Sequence, residues 1–168
     1  MTHKGFSHIG LATNQLDKTV DFYTNVLGFR MARFDVIEIE EGGRLRHAMI
    51  DVGRDQLIAF MEPSGIEAIS ENWDTGIVTG LGVPAAFYHF SFEAGTEGAL
   101  ERKREELLAK GVDCTPMITH PDWAKSFYFT DPNGLNLEYM AYTRDLTPED
   151  AIETVRDRAP VAALVPPA

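Results

Sequence analysis

The sequence predicts an α+β fold in which two βαβββ modules pair into an incomplete barrel around a metal-binding cleft. Three observations predict it. Strand-like alternation and helix-like spacing of apolar residues follow one another in the same order twice along the chain. Each copy opens on a strand with a central histidine, His8 in FSHIGL (6–11) and His89 in FYHFSF (87–92). The distance from that histidine to the matching point of the copy's last strand is nearly the same, 51 residues from His8 to Ala59 and 49 from His89 to Glu138.

The first module spans 5–62. GFSHIGLAT (5–13) alternates and reads as a strand. A helix follows, with Asn14 or Asp17 as its cap. Leu16, Val20, Tyr23, Val26 and Leu27 fall at helical spacing, and Gly28 ends it. Strands over 29–40, 44–52 and 56–62 complete the unit, with turns at Glu41-Gly42-Gly43 and Gly53-Arg54-Asp55. Residues 63–85 read as a linker, broken by Pro63, Gly65, Gly76, Gly80, Gly82 and Pro84, with a short helix around 66–71. The second module spans 86–143. It has a strand at 86–95, a helix at 96–111 capped by Thr96 and stopped by Gly111, and strands at 113–119, 125–131 and 135–143. Asp131-Pro132-Asn133-Gly134 is the turn between the last two. Residues 144–168 read as a C-terminal helix over 147–158, with Thr147 as cap and Pro148 at its first position, followed by a tail.

A chain of 168 residues is long enough for one domain with a real core. The formal charge of −11 argues against a nucleic-acid surface, which needs clustered Lys and Arg, and against an anionic membrane surface. No apolar run approaches the roughly 20 residues of a membrane span. MTHKGFSHIG lacks the apolar stretch of a signal peptide, and the lone Cys114 excludes an intrachain disulfide. A cytoplasmic protein is the expectation. The open sheet edges of such modules also predict a homodimer.

Two copies related by a pseudo-twofold would bring His8 and His89 to one cleft, with Glu138 beside them. Two imidazoles and a carboxylate are the facial ligand set of non-haem Fe(II) oxygenases, which leaves the other face open to substrate and oxygen. Fe(II) and Mn(II) accept such mixed ligands; thiolate-seeking metals would want cysteines that are absent. Each histidine alone reads more simply as a packed strand residue, and it is their matched positions that raise the ligand reading.

HIGLATNQLDKTVDFYTNVLGF near the start and FYFTDPNGLNLEY near the end resemble the vicinal-oxygen-chelate superfamily, which holds glyoxalase I, bleomycin-resistance proteins and extradiol dioxygenases. The resemblance covers about residues 5–143. Within it, THPDWAKSFYFTDPNGLNLEY (119–139) is similar to the extradiol pattern of a histidine, a hydrophobic-Tyr pair, an acidic-Pro-x-Gly turn and a ligand Glu: here His120, Phe127-Tyr128, Asp131-Pro132-Asn133-Gly134 and Glu138. The resemblance implies Fe(II) held by His8, His89 and Glu138, a small-molecule vicinal diol and O2 as substrates, and cleavage of the ring bond outside the diol. Tyr128 would hydrogen-bond a substrate oxygen and His120 would orient the substrate. The dioxygenases carry a further acid–base histidine before the second ligand histidine. This chain has none there, and Asp74 stands nearest that place. His47, on a first-module strand, reads as a surface or core residue. The alternatives are a glyoxalase-like lyase or isomerase on Zn(II) or Ni(II), whose usual fourth ligand position is Ala59 here; a fosfomycin-type thiol transferase, which needs a cationic pocket; and a drug-binding module. Phe60, Trp73, Phe87, Trp123, Phe127 and Tyr139 are candidates for pocket or core.

Overall fold

The computed structural model describes residues 5–70, 72–77, 82–84 and 87–153. The chain divides into two compact units, Met1–Ile77 with Asp131–Gly134, and Val78–Thr130 with Leu135–Ala168.

In the first unit β1 (His8–Ala12), α1 (Leu16–Asp21), β2 (Arg30–Glu38), β3 (Arg44–Gly53) and β4 (Gln56–Ser64) form a four-stranded mixed sheet in the order β1-β4-β3-β2. β1 runs parallel to β4 and the other pairs are antiparallel. α1 passes at its end into a π-helical turn, Phe22–Val26, where Leu27 N–H donates to the Phe22 carbonyl. Tyr23 on this turn is fully buried, its ring 4.9 Å from that of Phe60. The α1 N-terminus is held by Glu62, whose Oε1 accepts from Leu16 N–H at 2.8 Å while Oε2 lies 3.0 Å from Arg46 Nη1.

The second unit repeats the plan. β5 (His89–Glu93), α2 (Glu97–Ala109), β6 (Ile118–His120), β7 (Ala124–Thr130) and β8 (Asn136–Tyr142) give the order β5-β8-β7-β6, with β5 parallel to β8. α2 starts at Thr96, whose hydroxyl accepts from Ala99 N–H at 3.2 Å. Leu100 and Leu107, both fully buried, pack this helix on β7 and β8. Both sheets are open, and the protein is α+β.

Three elements differ from expectation. The strand expected over 113–119 is the short β6, shifted to end on His120; Pro116 has no N–H to give a ladder, and Thr115 instead bonds the β7 backbone at Tyr128 through its N–H and its hydroxyl. The helix expected around 66–71 is only a turn over its described residues 66–70, closed by Ile69 N–H to the Ile66 carbonyl; Glu71 lies outside the described residues. At the C-terminus the described part is a 3₁₀ turn, Pro148–Ala151, opened by a Thr147–Asp150 capping box; residues 154–158 of the expected helix lie outside the described residues. Among the described residues no helix is long and apolar enough to cross a membrane.

The Asp131–Gly134 turn belongs to the first unit, and its Asp131 and Asn133 side chains are buried there. Asn133 Oδ1 accepts from Thr13 Oγ1 at 2.6 Å, Asn133 Nδ2 donates to Asp131 Oδ2 at 3.0 Å, and Tyr23 Oη donates to Asp131 Oδ2 at 3.1 Å. Gly134, at φ +79°, closes the turn in a conformation that side chains resist. Asn133→Ala takes the amide acceptor from the buried Thr13 hydroxyl and one of two donors from Asp131 Oδ2. It is expected to lower stability by about 1–3 kcal/mol, read as a fall in the urea midpoint at unchanged slope.

Candidate functional site

The site is a property of strand alternation in the second sheet. Directly paired residues share a face, so the registers Tyr128↔Glu138, Ser126↔Met140, Ala124↔His120 and Ser91↔Glu138 put His89, His120, Ser126, Tyr128 and Glu138 on one side. Phe92, Phe127, Phe129, Leu137, Tyr139 and Ala141 alternate onto the other, where they are buried together with Leu100 and Leu107 of α2. Thus Phe127 and Tyr139 are core, their rings 5.8 Å apart, and Phe60 is core in the first unit. Trp123 stays near the polar side, its ring 5.5 Å from His120.

Glu138 is the centre of the polar face. It is 3% exposed. Its Oε2 lies 3.4 Å from His89 Nε2 and its Oε1 3.8 Å from His120 Nε2. Among the described residues no Lys or Arg pairs with it; the only strand lysine of this sheet, Lys125, points to the opposite side and pairs with Glu97 at 2.5 Å. A buried carboxylate facing imidazoles rather than fixed cations is costly unless a cation joins it, and its donor set suits a divalent ion.

Tyr128 stands across from Glu138 on β7. Its hydroxyl is pushed up to about 12, first by partial burial, then by the hydrogen bond it donates to the Glu138 carboxylate, with Ser126 acting in the opposite direction. The ring meets that of His89 edge-on at 5.4 Å. His120 ends β6 at the tight turn into β7, where Asp122 takes φ +68° and Trp123 N–H reaches back to the His120 carbonyl. Its Nε2 is 2.8 Å from Ser126 Oγ.

The second sheet therefore brings His89, His120, Tyr128 and Glu138 together. His8 lies on β1 of the first unit, exposed, with Nδ1 3.1 Å from Ser7 Oγ. Among the described residues, no three His, Cys, Asp or Glu side chains form a group that could hold a metal ion as placed. Asp74 is exposed in the first unit, where its Oδ1 accepts from Gly76 N–H at 2.8 Å, an Asx turn. His47 sits opposite Asp35 on β2, 3.8 Å from its carboxylate. Ala59 is buried on β4, and Glu62, of opposite parity on the same strand, is occupied at the start of α1. Sequence reading missed Ser126; the signal was a small polar residue two positions before Tyr128, on the same face of one strand.

Residues 5–139 match the Glyoxalase/Bleomycin resistance protein/Dioxygenase superfamily. The chain belongs to that superfamily. The uncharacterized protein YwkD of Bacillus subtilis (strain 168) is 27% identical over 139 residues, 82% of this chain and 97% of that protein. Biphenyl-2,3-diol 1,2-dioxygenase of Paraburkholderia xenovorans (strain LB400) is 25% identical over 137 residues; the match takes in 81% of this chain and 40% of the dioxygenase. An integron cassette protein from the mobile metagenome of the Halifax Harbour sewage outfall superposes with a TM-score of 0.59 at 28% identity, covering 83% of this chain and 99% of its own. Superfamily members commonly bind divalent metals, which agrees with the donor chemistry around Glu138.

Proposed function

We propose that the protein is a non-haem Fe(II)-dependent dioxygenase of extradiol type, cleaving a catechol-like ring with O2. The observation that carries this reading is the buried Glu138 carboxylate, faced on one side by His89 and on the other by Tyr128 and His120. The likeness to the biphenyl-diol dioxygenase supports it. His89 and Glu138, with His8 from the first unit, would hold the ion. Bound there, Fe(II) supplies chelation of two vicinal oxygens and an electron path from the ring to O2.

The chain's own residues do the rest. Tyr128 keeps its proton at neutral pH and so acts as a hydrogen-bond donor to a substrate oxygen. His120, anchored through Nε2, orients the diol and offers a polar contact beside it. The apolar layer under α2 backs the strands and fixes these side chains. No Lys or Arg stands on the polar face of this sheet, which favours an uncharged diol over a phosphonate. The lyase reading is weaker, because neither Ala59 nor the occupied Glu62 offers a further carboxylate.

Anaerobic loading with Fe(II), followed by air and a panel of catechols, is expected to give stoichiometric oxygen uptake and a yellow ring-opened product. The absence of uptake across the panel with Fe(II) or Mn(II) fully loaded would remove this reading.

A further inference from the structure

We propose that the first unit carries a second small-molecule site, on the opposite side of its sheet from His8, which takes a compact monocarboxylate with an apolar body, such as an aryl-acetic acid. The proposal is independent of the dioxygenase reading. A cavity of about 300 Å³ opens where β3 begins and β4 ends. Its place follows from the register. Arg44 pairs with Ser64, Arg46 with Glu62 and Ala48 with the buried Phe60, so Arg44, Glu62 and Ser64 share one face. That is the face covered by α1 and its π-helical turn, where Leu16 N–H reaches Glu62 and Tyr23 meets Phe60. His8 pairs with Leu57 and Gly10 with Ala59, residues of the opposite parity on β4. The cavity is therefore separate from the face that carries His8 and Ala59.

Its walls are held in place by hydrogen bonds within the first unit. Past Gly65, Ile69 N–H closes a turn on the Ile66 carbonyl at 3.0 Å. Asn14 Nδ2 then donates to the Trp73 carbonyl at 3.3 Å, and Thr75 Oγ1 to the Asn133 carbonyl at 3.0 Å. Asn14 follows β1, and Asn133 belongs to the same unit. These bonds set Ile66, Ile69 and the half-buried Trp73 around the polar ends of β3 and β4. A recess fixed in this way needs little ordering when a ligand enters.

The charges select the ligand. β3 carries two arginines on this face, and their surroundings differ. Arg46 forms ion pairs with Asp17 and Glu62. Glu62 also lines the cavity, but its two oxygens are occupied by Leu16 N–H and Arg46. Arg44 is exposed and lines the cavity too. Among the described residues no carboxylate pairs with it, its cross-strand neighbour Glu38 included. In a chain of net charge −11, a guanidinium left without a carboxylate beside an apolar recess is a site for an anion. Its parallel N–H donors match the two oxygens of a carboxylate, and the Ser64 hydroxyl lies on the same rim. One cation does not balance a phosphate dianion. A volume of about 300 Å³ is at the small end of ligand sites, too small for a nucleotide or a lipid chain. Ile66, Ile69 and the Trp73 ring offer apolar contact to a single ring or a short branched chain.

The test uses the full chain, metal-free, with phenylacetate as the probe. Saturation-transfer NMR reads binding. Trp73 emission in Trp123→Phe, where it is the remaining tryptophan, reads location. The expected result is saturable binding with a Kd of about 1 mM, as suits a ligand of so few atoms, with a parallel change in emission. Arg44→Gln is expected to weaken binding about tenfold, the loss that goes with one charge-assisted bond, and Arg44→Lys less. Phenylacetamide, of the same shape without the charge, is expected to bind about tenfold more weakly than the acid. The Glu138→Gln protein is expected to bind phenylacetate as the parent does. If Arg44→Gln does not fold, Ile69→Glu, at a position 41% exposed, puts a like charge at the cavity and is expected to give the same loss. The proposal is overturned by no saturable binding in the parent through the millimolar range, or by unchanged Trp73 emission at saturation. Equal binding of acid and amide, or full binding in folded Arg44→Gln or Ile69→Glu, also overturns it. Binding lost in Glu138→Gln puts the acid on the polar face of the second sheet and overturns it too. None of these measurements reads oxygen uptake, so this site and the dioxygenase reading stand or fall separately.

Discussion

Glu138→Gln is expected to abolish metal-dependent turnover and weaken metal binding more than about 100-fold, beyond the range usual for residues that only support a ligand, while leaving the protein as stable as its parent. The two halves of this expectation come from the same geometry. Glu138 is 3% exposed, and the groups around it are imidazoles, a phenol and strand backbone. Removing its charge takes away the buried anionic donor of the second sheet's polar face. The amide keeps the shape and can still accept from Tyr128 through its oxygen, and its NH2 can face His89. Replacing a buried charge by a neutral group of equal size is often neutral or stabilising, so thermal melting of the metal-free protein should be unchanged or slightly higher. Elemental analysis after loading and dialysis reads the first half, and calorimetry the second. Retention of stoichiometric metal by a folded Glu138→Gln protein would falsify the ligand assignment. His89→Ala is expected to lose the metal as well, since it removes the imidazole nearest that carboxylate.

Much of this arrangement was legible in the sequence, and the reasons are local. The strands bearing His89 and Glu138 alternate cleanly, so once β5 and β8 are recognised the polar side chains must share a face. The repeat of a strand, a helix and three strands could be read because each helix has its stop, Gly28 or Gly111, and α2 its cap, Thr96. What could not be read depends on tertiary partners. Ser126 is an ordinary small strand residue until the register sets His120 diagonal to it. Asn133 reads as a solvated turn residue, because Pro-Asn-Gly turns usually lie at the surface; its burial comes from Thr13, Thr19 and Tyr23, more than a hundred residues earlier in the chain. The π-helical turn after α1 lets Tyr23 meet both Asp131 and Phe60, and no spacing rule announces it. Asp74 matches the missing histidine only in its distance from His89, and distance along a chain says nothing about where an Asx turn directs a carboxylate.

Tyr128→Phe is the complementary experiment, because it should separate binding from chemistry. The phenol is not a proposed ligand, so the phenylalanine protein is expected to hold metal at the parent's stoichiometry. Its kcat is expected to fall by about 10²-fold or more, the usual cost of removing a positioned proton donor, with a smaller change in KM. The acid–base behaviour decides what kind of donor it is. Partial burial and the Glu138 carboxylate raise this phenol from 10.0 to about 12, so it is protonated throughout the pH range in which most enzymes work and cannot be the base that gives an activity profile its acidic limb. The same shift has a stability consequence of fixed sign. Below pH 10 the phenol is neutral in both folded and unfolded chains and contributes no pH dependence. Between about 10 and 12 the unfolded chain releases the proton while the folded one holds it, so stability falls as pH rises through that window. Tyr139, also raised by burial, adds to the same slope. Urea midpoints measured from pH 9 to pH 11.5 should therefore decline in the parent and decline less steeply in Tyr128→Phe. A phenylalanine protein with an unchanged kcat would place the proton donor elsewhere on the polar face, with His120 the nearest candidate. An equal alkaline slope in the two proteins would mean that neither burial nor the Glu138 carboxylate raises the Tyr128 phenol.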